Sequence, residues 1–293
     1  MDWNKTKTIL IFAFLCLNIL LGYRLWFSGA ESFSPWIVPE KKEEVLDYLQ
    51  AKNISLKSDI PGEVQSKSFY EVRNKGFCEE KFFDDLELNL NEFEKTKNEN
   101  FNLYMGPKDE VIYIYNSGMI KFYFPRGYTP VDSPIKSNYW HSTDKVFWGK
   151  DFVNTISVPD NVFLEQIYFG DENQIELLYH QKNEDENFYG GYLRLIITPN
   201  GIIRGQFFWL DFKGKSEDSI EIIPATTALL RLESHLPSGV ENVIKEVSFG
   251  YYTQEFYADK WDALPAWKFK LQDRIYYINA FTGELEGKIE AFE

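Results

Sequence analysis

Apolar residues follow one pattern at the start of this chain and others further along. Residues 8–23 carry no charge and are almost continuously apolar, "TILIFAFLCLNILLGY". From about residue 41 the pattern becomes helical: Val45, Leu46 and Leu49 recur at turn spacing behind Pro39, with Asn53 placed to end the helix. Strand alternation follows. In "EVIYIYNSGMIKFYF", Ile112 and Ile114 alternate with Tyr113 and Tyr115, residues 116–118 supply a turn, and Phe122 and Phe124 return. "GGYLRLIITPNGIIRGQFFWLDF" predicts a longer hairpin about Asn200-Gly201, with Pro199 limiting the pairing at its shoulder. Helical spacing reappears at Ala225, Ala228, Leu229, Leu232 and Leu236, ended by "PSG". Val247, Phe249 and Tyr251 then alternate along a strand, and "RIYYINAFTGELEG" closes the chain with a hairpin turning at Gly283.

These elements predict an α+β fold in which helices pack on antiparallel strands. The expected organisation is an inner stub at 1–8, a transmembrane helix at 9–27, a linker at 28–40, and two α+β units at 41–146 and 147–293. The proline-rich "PRGYTPVDSP" marks the boundary between the two units. Any internal duplication of the two is at most loose.

The opening segment reads as a membrane anchor. If Arg24 extends its stem and leaves its guanidinium at the headgroups, the apolar stretch reaches Phe27. That is about 20 residues, enough to cross roughly 30 Å of hydrocarbon. Trp3 on one side, and Tyr23, Arg24 and Trp26 on the other, are the expected interface anchors. Lys5 and Lys7 place the short amino end inside and the body outside, in an extracytoplasmic position at the cell membrane. The alternative is a cleaved export signal with Ser28 and Ala30 at its site. The run exceeds the apolar core of an export signal, which reaches roughly 15 residues at most. Arg24, Trp26 and Phe27 also crowd the site with bulk. Asn18 and Gly22 share one face of the helix, where an amide and a close-approach glycine suit pairing with another membrane helix. A single Asn in a span is also tolerated without a partner.

Charge narrows the partners. The chain carries −14 overall while the first 24 residues carry +2 (Lys5, Lys7 and Arg24 against Asp2), leaving −16 on the rest. Such a body repels nucleic-acid phosphates and anionic headgroups, so no nucleic-acid partner is expected. Two cysteines, Cys16 in the apolar run and Cys78 in the body, give no disulfide framework, and Cys16 lacks the small residues of a lipoprotein site.

Candidate chemistry is sparse. His141, His180 and His235 lie far apart and form no metal-ligand spacing. Asn183, Asp185 and Asn187 have the alternate spacing of a calcium loop, but Phe188 stands where that loop needs glycine. Two S-x-x-K matches, Ser133 to Lys136 and Ser142 to Lys145, are about what chance supplies, and the companion K-T-G is missing. Carboxylate pairs are too easily drawn in so acidic a chain to point to glycoside chemistry. No catalytic, cofactor or metal residues are therefore assigned, and a non-enzyme is expected. The 17% aromatic content suits sheet packing.

The opening "MDWNKTKTILIFAFLCLNILLGY" and the ending "PAWKFKLQDRIYYINAFTGELEG" resemble those of the YycI (WalI) family, accessory proteins of the WalK (YycG) sensor histidine kinase. The ending also resembles the closing hairpin of PepSY-type modules, where an acidic residue precedes a T-G turn. Asn279 holds that place here, so this likeness supports a shape and not a shared ligand. The YycI resemblance implies a non-enzymatic membrane-anchored regulator. It would act with a YycH-like protein, through spans and ectodomains, on a kinase that controls cell-wall metabolism. Two other readings of the residues stay open: an anchored module binding a wall glycan or lipid-linked precursor, and a wall hydrolase.

Overall fold

The helix expected at Val45 and Leu49 forms as α1 (Lys42–Ala51), with both residues buried and Asn53 ending it in the left-handed region at φ 59°. This computed structural model describes residues 7, 14, 17, 18, 42–62, 66–76, 78–129, 142–156, 161–170, 174–254 and 258–290. The chain divides into two compact units, Met1–Pro39 and Glu40–Glu293. In the first, Lys7, Phe14, Leu17 and Asn18 are helical and exposed. Trp3, Gly22, Tyr23, Arg24 and Trp26 lie outside the described residues. Among the described residues, no helix is long and apolar enough to cross a membrane.

The larger unit is built on one big sheet. After α1 come β1 (Ile54–Leu56), β2 (Ser66–Asn74), α2 (Glu79–Asp85), β3 (Glu94–Lys97), β4 (Phe101–Met105), β5 (Val111–Tyr115) and β6 (Ile120–Tyr128). Then follow α3 (Ser142–Thr155), β7 (Val162–Phe169), β8 (Ile175–Asn183), β9 (Glu186–Thr198), β10 (Gly201–Phe208) and β11 (Leu210–Glu221). The chain continues through α4 (Ala225–Glu233), β12 (Asn242–Ile244), β13 (Glu246–Tyr252), β14 (Trp261–Lys270), β15 (Arg274–Asn279) and β16 (Leu285–Glu290). The main path runs β11-β2-β14-β13-β9-β10-β6-β5-β4-β3, with β8 and β7 branching from β9, and β15 and β16 from β14. Pairing is antiparallel except for β1 with β12 and a single bridge between β9 and β13.

The three predicted hairpins form where turn chemistry placed them. β5 and β6 meet through Gly118 at φ 82°, β9 and β10 through Gly201 at φ 121°, and β15 and β16 through Gly283 at φ 76°. In the last, the Asn279 side-chain oxygen accepts from the Phe281 and Thr282 amides, while its nitrogen donates to Glu286. Asn279 thus shapes the turn.

Two helix-on-sheet cores exist, but they do not follow the expected division at residue 146. The first core holds Phe82 and Phe83 of α2 and Trp148 and Phe152 of α3 against Ile112, Phe122, Leu193, Leu195 and Phe207. The second holds Val45 and Leu49 of α1 and Ala228, Leu229 and Leu232 of α4 against Trp267, Phe269, Tyr276 and Ile278. α1 therefore packs with the carboxyl-terminal strands and not with the β5–β6 hairpin. The reason is ladder connectivity. β2 pairs with β11 and β14, and β6 pairs with β10, so strands on either side of residue 146 share one sheet. The expected division at 146/147 falls inside α3, whose Trp148 and Phe152 are core residues.

Candidate functional site

The strand period itself creates a second, polar interior. On β8 and β9, Leu178 pairs Arg194 and His180 pairs Tyr192, so these four share one face, while Leu177, Tyr179, Leu193 and Leu195 turn to the first core. On β14 and β15, Lys268 pairs Tyr277 and Lys270 pairs Ile275. Trp267 and Phe269, which alternate with these lysines, are claimed by the second core. Burying Trp267 and Phe269 under α4 forces the alternate residues, two lysines, onto the opposite face. That face meets the face of β8 carrying His180. Leu178, Tyr189, Ile275 and Tyr277 form a small apolar cluster there.

Glu165 of β7 neutralises the lysines. It sits where the β7–β8 register slips between Leu164 and Gln166, a bulge that frees and re-aims one side chain. Both carboxylate oxygens lie 2.7 Å from Lys268 Nζ, and Lys270 Nζ lies 3.2 Å from Oε1 and also donates to the Glu165 carbonyl. Glu246 of β13 adds a carboxylate 2.9 Å from Lys268 Nζ. The Lys268 and Glu165 side chains are only 3% and 2% exposed, so this pair meets with little water, while Lys270 at 16% and Glu246 at 44% carry the network out toward solvent. Burial alone drives the Glu165 pKa up, but the charges and hydrogen bonds of Lys268, with the charge of Lys270, outweigh it and hold the carboxyl below its usual range. For Lys268 burial acts downward, and Tyr189, Glu165 and Glu246 reverse it, so the ammonium is held above its ordinary value.

His180 is completely buried beside this network. Its Nδ1 lies 3.2 Å from the Gly191 carbonyl and its Nε2 3.2 Å from the Tyr277 hydroxyl. A carbonyl only accepts, so Nδ1–H donates to it and Nε2 accepts from Tyr277. Both ring nitrogens are satisfied in the neutral tautomer. Burial holds the imidazole pKa down at about 4, with Glu165 pulling the other way. Tyr277 stacks between Tyr189 at 5.1 Å and Tyr252 at 4.5 Å.

Gln181, the next residue, locks the adjoining strands. Its Nε2 donates to the Leu210 carbonyl and its Oε1 accepts from the Leu210 amide, so a buried side chain replaces a missing ladder partner. Only glycine fits opposite. A Cβ on Gly191 would stand 2.1 Å from Gln181 Oε1. At the outer end of the interlayer, Arg194 binds Glu176 at 2.8 Å and donates to the Glu290 carbonyl at 2.6 Å. Between β9, residues 252–254 and β16 it leaves a cavity of about 270 Å³. A second cavity of about 390 Å³ beside α2 is lined by Cys78, Glu79, Lys95 and Tyr104, where Glu79 accepts from Lys95, Asn102 and Tyr104.

The structure places the sequence candidates apart. His180 is in the polar interior, His235 follows α4 at the surface, and His141, Ser133, Lys136 and Cys16 lie outside the described residues. Ser142 and Lys145 fall in the first turn of α3. Asn183 and Glu186 flank the tight β8–β9 turn, where Glu184 takes φ 53°. Among the described residues, no cluster of three His, Cys, Asp or Glu is arranged to hold a metal. The residues that sequence reasoning missed are Glu165, Lys268, Lys270 and Gln181. The available signal was "AWKFKL", where lysines alternate with Trp267 and Phe269 in a strand whose aromatics are destined for a core.

These features define an α+β protein on one large, mainly antiparallel sheet, with a charged interior that is internally neutralised. The sequence model of the YycI family, described as YycI protein, matches residues 36–281. The chain belongs to the YycI family. That family is regulatory and not a known enzyme family, and membership gives this chain a role in regulating the WalK (YycG) two-component system. No curated protein gives a significant match. Among solved structures, an uncharacterized protein from Eubacterium rectale aligns over 83% of this chain and 97% of its own, with TM-score 0.51 and 13% identity, a likeness of fold alone. The Bacillus megaterium YpeB C-terminal domain aligns over 75% of this chain and all of its own, with TM-score 0.40 and 16% identity.

Proposed function

We propose that this protein is a membrane-anchored, non-catalytic regulator that sets the output of the WalK sensor kinase together with a YycH-like protein. The observation that carries the reading is the family match over residues 36–281, which begins just after the apolar stretch of residues 8–27. In this reading that stretch is a retained single span with its amino end in the cytoplasm, and the body from Glu40 stands outside the cell. Asn18 and Gly22 form the face that packs on kinase helices, with Trp3, Tyr23, Arg24 and Trp26 setting its depth. Differential packing of a few kcal/mol between two kinase arrangements is enough to shift their populations.

The test uses full-length protein in intact cells. Asn18→Leu combined with Gly22→Leu is expected to reduce co-purification of the kinase at least several-fold and to change target-gene output, while the protein stays in the membrane fraction. Unchanged co-purification and output would remove the pairing face. Crosslinking that recovers neither a kinase nor a second single-span protein would remove the regulator reading altogether.

A further inference from the structure

The sheet face that carries Leu178, His180, Tyr192 and Arg194 does not end with the strands that cover it. Register carries the same face outward: Gln206 pairs Arg194, Lys121 pairs Gln206 and Tyr113 pairs Lys121. Leu103 pairs Tyr113 in turn. Beyond Arg194 this face contributes to none of the first core's contacts, because Ile112, Ile114 and Phe122 point the other way. It is nevertheless rich in rings. Phe101 lies 5.4 Å from both Tyr113 and Tyr115, while Met105 is 51% and Tyr123 42% exposed. Leu103 and Val111 are half-buried on the same face.

Two cations stand on this apolar floor. Lys121 Nζ lies 5.4 Å above the Tyr115 ring, and the Arg204 guanidinium lies 5.9 Å above Tyr123. Neither has a carboxylate partner among the described residues. Ring-stacked lysines without an ion pair among the described residues occur elsewhere, as Lys182 over Phe163 and Lys215 over Tyr70; Lys121 and Arg204 differ in standing together on one open apolar face, where the carboxylates of a partner would complement both. At about 4.8 Å per strand, the face from β3 to β10 is about 19 Å wide, and three same-face residues extend about 13 Å along it. That matches the apolar centre of a protein interface, whose composition favours Tyr, Arg and Met. A stacked sugar fits less well, because the cations already cover the Tyr115 and Tyr123 ring faces.

The geometry points to a docking surface for a folded protein partner that sets an apolar patch over Tyr113 and Met105 and carboxylates over Lys121 and Arg204. This rests on the reading that the chain works by protein contact. The partner's net charge matters less than local pairing, since charges farther apart than about 8 Å are screened at physiological salt.

The test places a photocrosslinking benzoylphenylalanine at Tyr123 of the full-length chain in living cells, with the same group at exposed Phe169 of β7 as a control. The expected result is one protein adduct at Tyr123 whose crosslinked peptide lies beside an Asp or Glu. Its yield should fall about tenfold with Lys121→Glu plus Arg204→Glu and recover when that acid on the partner becomes Lys. Lys121→Gln plus Arg204→Gln replaces the reversed pair if that variant does not accumulate. An adduct to a second copy of this chain, to wall glycan, or to no macromolecule overturns the proposal, as does an adduct indifferent to both charge variants. If the kinase still co-purifies in those cases, the regulator reading stands without this face. If it does not, both fall.

Discussion

Lowering the pH from 7.5 to 5 is expected to destabilise the body through one residue, His180. In the unfolded chain the imidazole titrates near 6.5, whereas in the folded protein burial holds it down at about 4. Between those values only the unfolded chain takes up the proton, so stability falls as pH falls through this window. At pH 5 the unfolded imidazole is protonated about 30 to 1 and the folded one scarcely at all, a loss of about 2 kcal/mol that grows to about 3 kcal/mol below pH 4. The groups facing the ring do not blur the window. Glu165 is held below the ordinary carboxylate range, so it loses its charge only at lower pH, and Lys268 stays charged throughout. Tyr277 is held well above its usual value and remains neutral. The assay is urea unfolding of the purified chain at pH 7.5 and 5, followed by tryptophan fluorescence, for the native sequence and His180→Gln. Glutamine keeps a donor and an acceptor but does not titrate. The native chain should lose about 2 kcal/mol more than the variant over this interval, because His141 and His235 contribute equally to both. A difference under about 0.5 kcal/mol would falsify the placement of a neutral, sealed His180.

Two further substitutions probe the same interior. Gln181→Leu strands the Leu210 amide and carbonyl, each at about 1–3 kcal/mol, so the urea midpoint should drop clearly with the slope unchanged. Lys268→Met leaves Glu165 buried with Lys270 as its remaining cation, and should cost about 3 kcal/mol. Adding Glu165→Gln to that variant should restore part of the loss; a double variant less stable than Lys268→Met alone would show that the carboxylate is not the strained group.

What the sequence reveals depends on how local each feature is. α1 and α4 are legible because their stripes are helical; α1 ends at the expected Asn53, whereas α4 stops at Glu233, short of Leu236 and of the "PSG" run expected to end it. The three hairpins are legible because each turns on a glycine forced to positive φ. Pairings across long separations are not, and the division at residue 146 fails for that reason. Arg73 of β2 meets Asp211 of β11 across 138 residues of chain, and nothing in either strand names the other. α3 is hidden because Trp148 and Phe152 follow a proline-rich stretch that resembles a linker. The ends of the chain carry enough local pattern to resemble the YycI family, whose sequence model covers residues 36–281.

The polar interior is illegible for a deeper reason. Alternation tells which residues share a face but not whether that face meets water, and a strand reading W-K-F-K looks half-exposed by every local criterion. Its lysine face is buried only because a second layer, β7 and β8, lies against it, held by Glu165 at a bulge 103 residues before Lys268. The converse holds on β4, β5 and β6. There both faces are apolar or aromatic, which by pattern alone reads as a strand buried on two sides, yet one face keeps Met105 and Tyr123 largely open. Charged residues inside and aromatic residues outside thus depart from the simple pattern in the same sheet: the lysines of β14 meet the β8–β9 face, and the open aromatic face of β4, β5 and β6 continues that β8–β9 face outward. The step between them at Arg194 and Glu290 is where the covering layer stops. A sheet whose covered half is closed by internal ion pairs has already neutralised its buried charge, whereas the half that remains apolar and carries unneutralised cations has not. That asymmetry directs attention to the β4–β10 face when a contact surface is sought on this body.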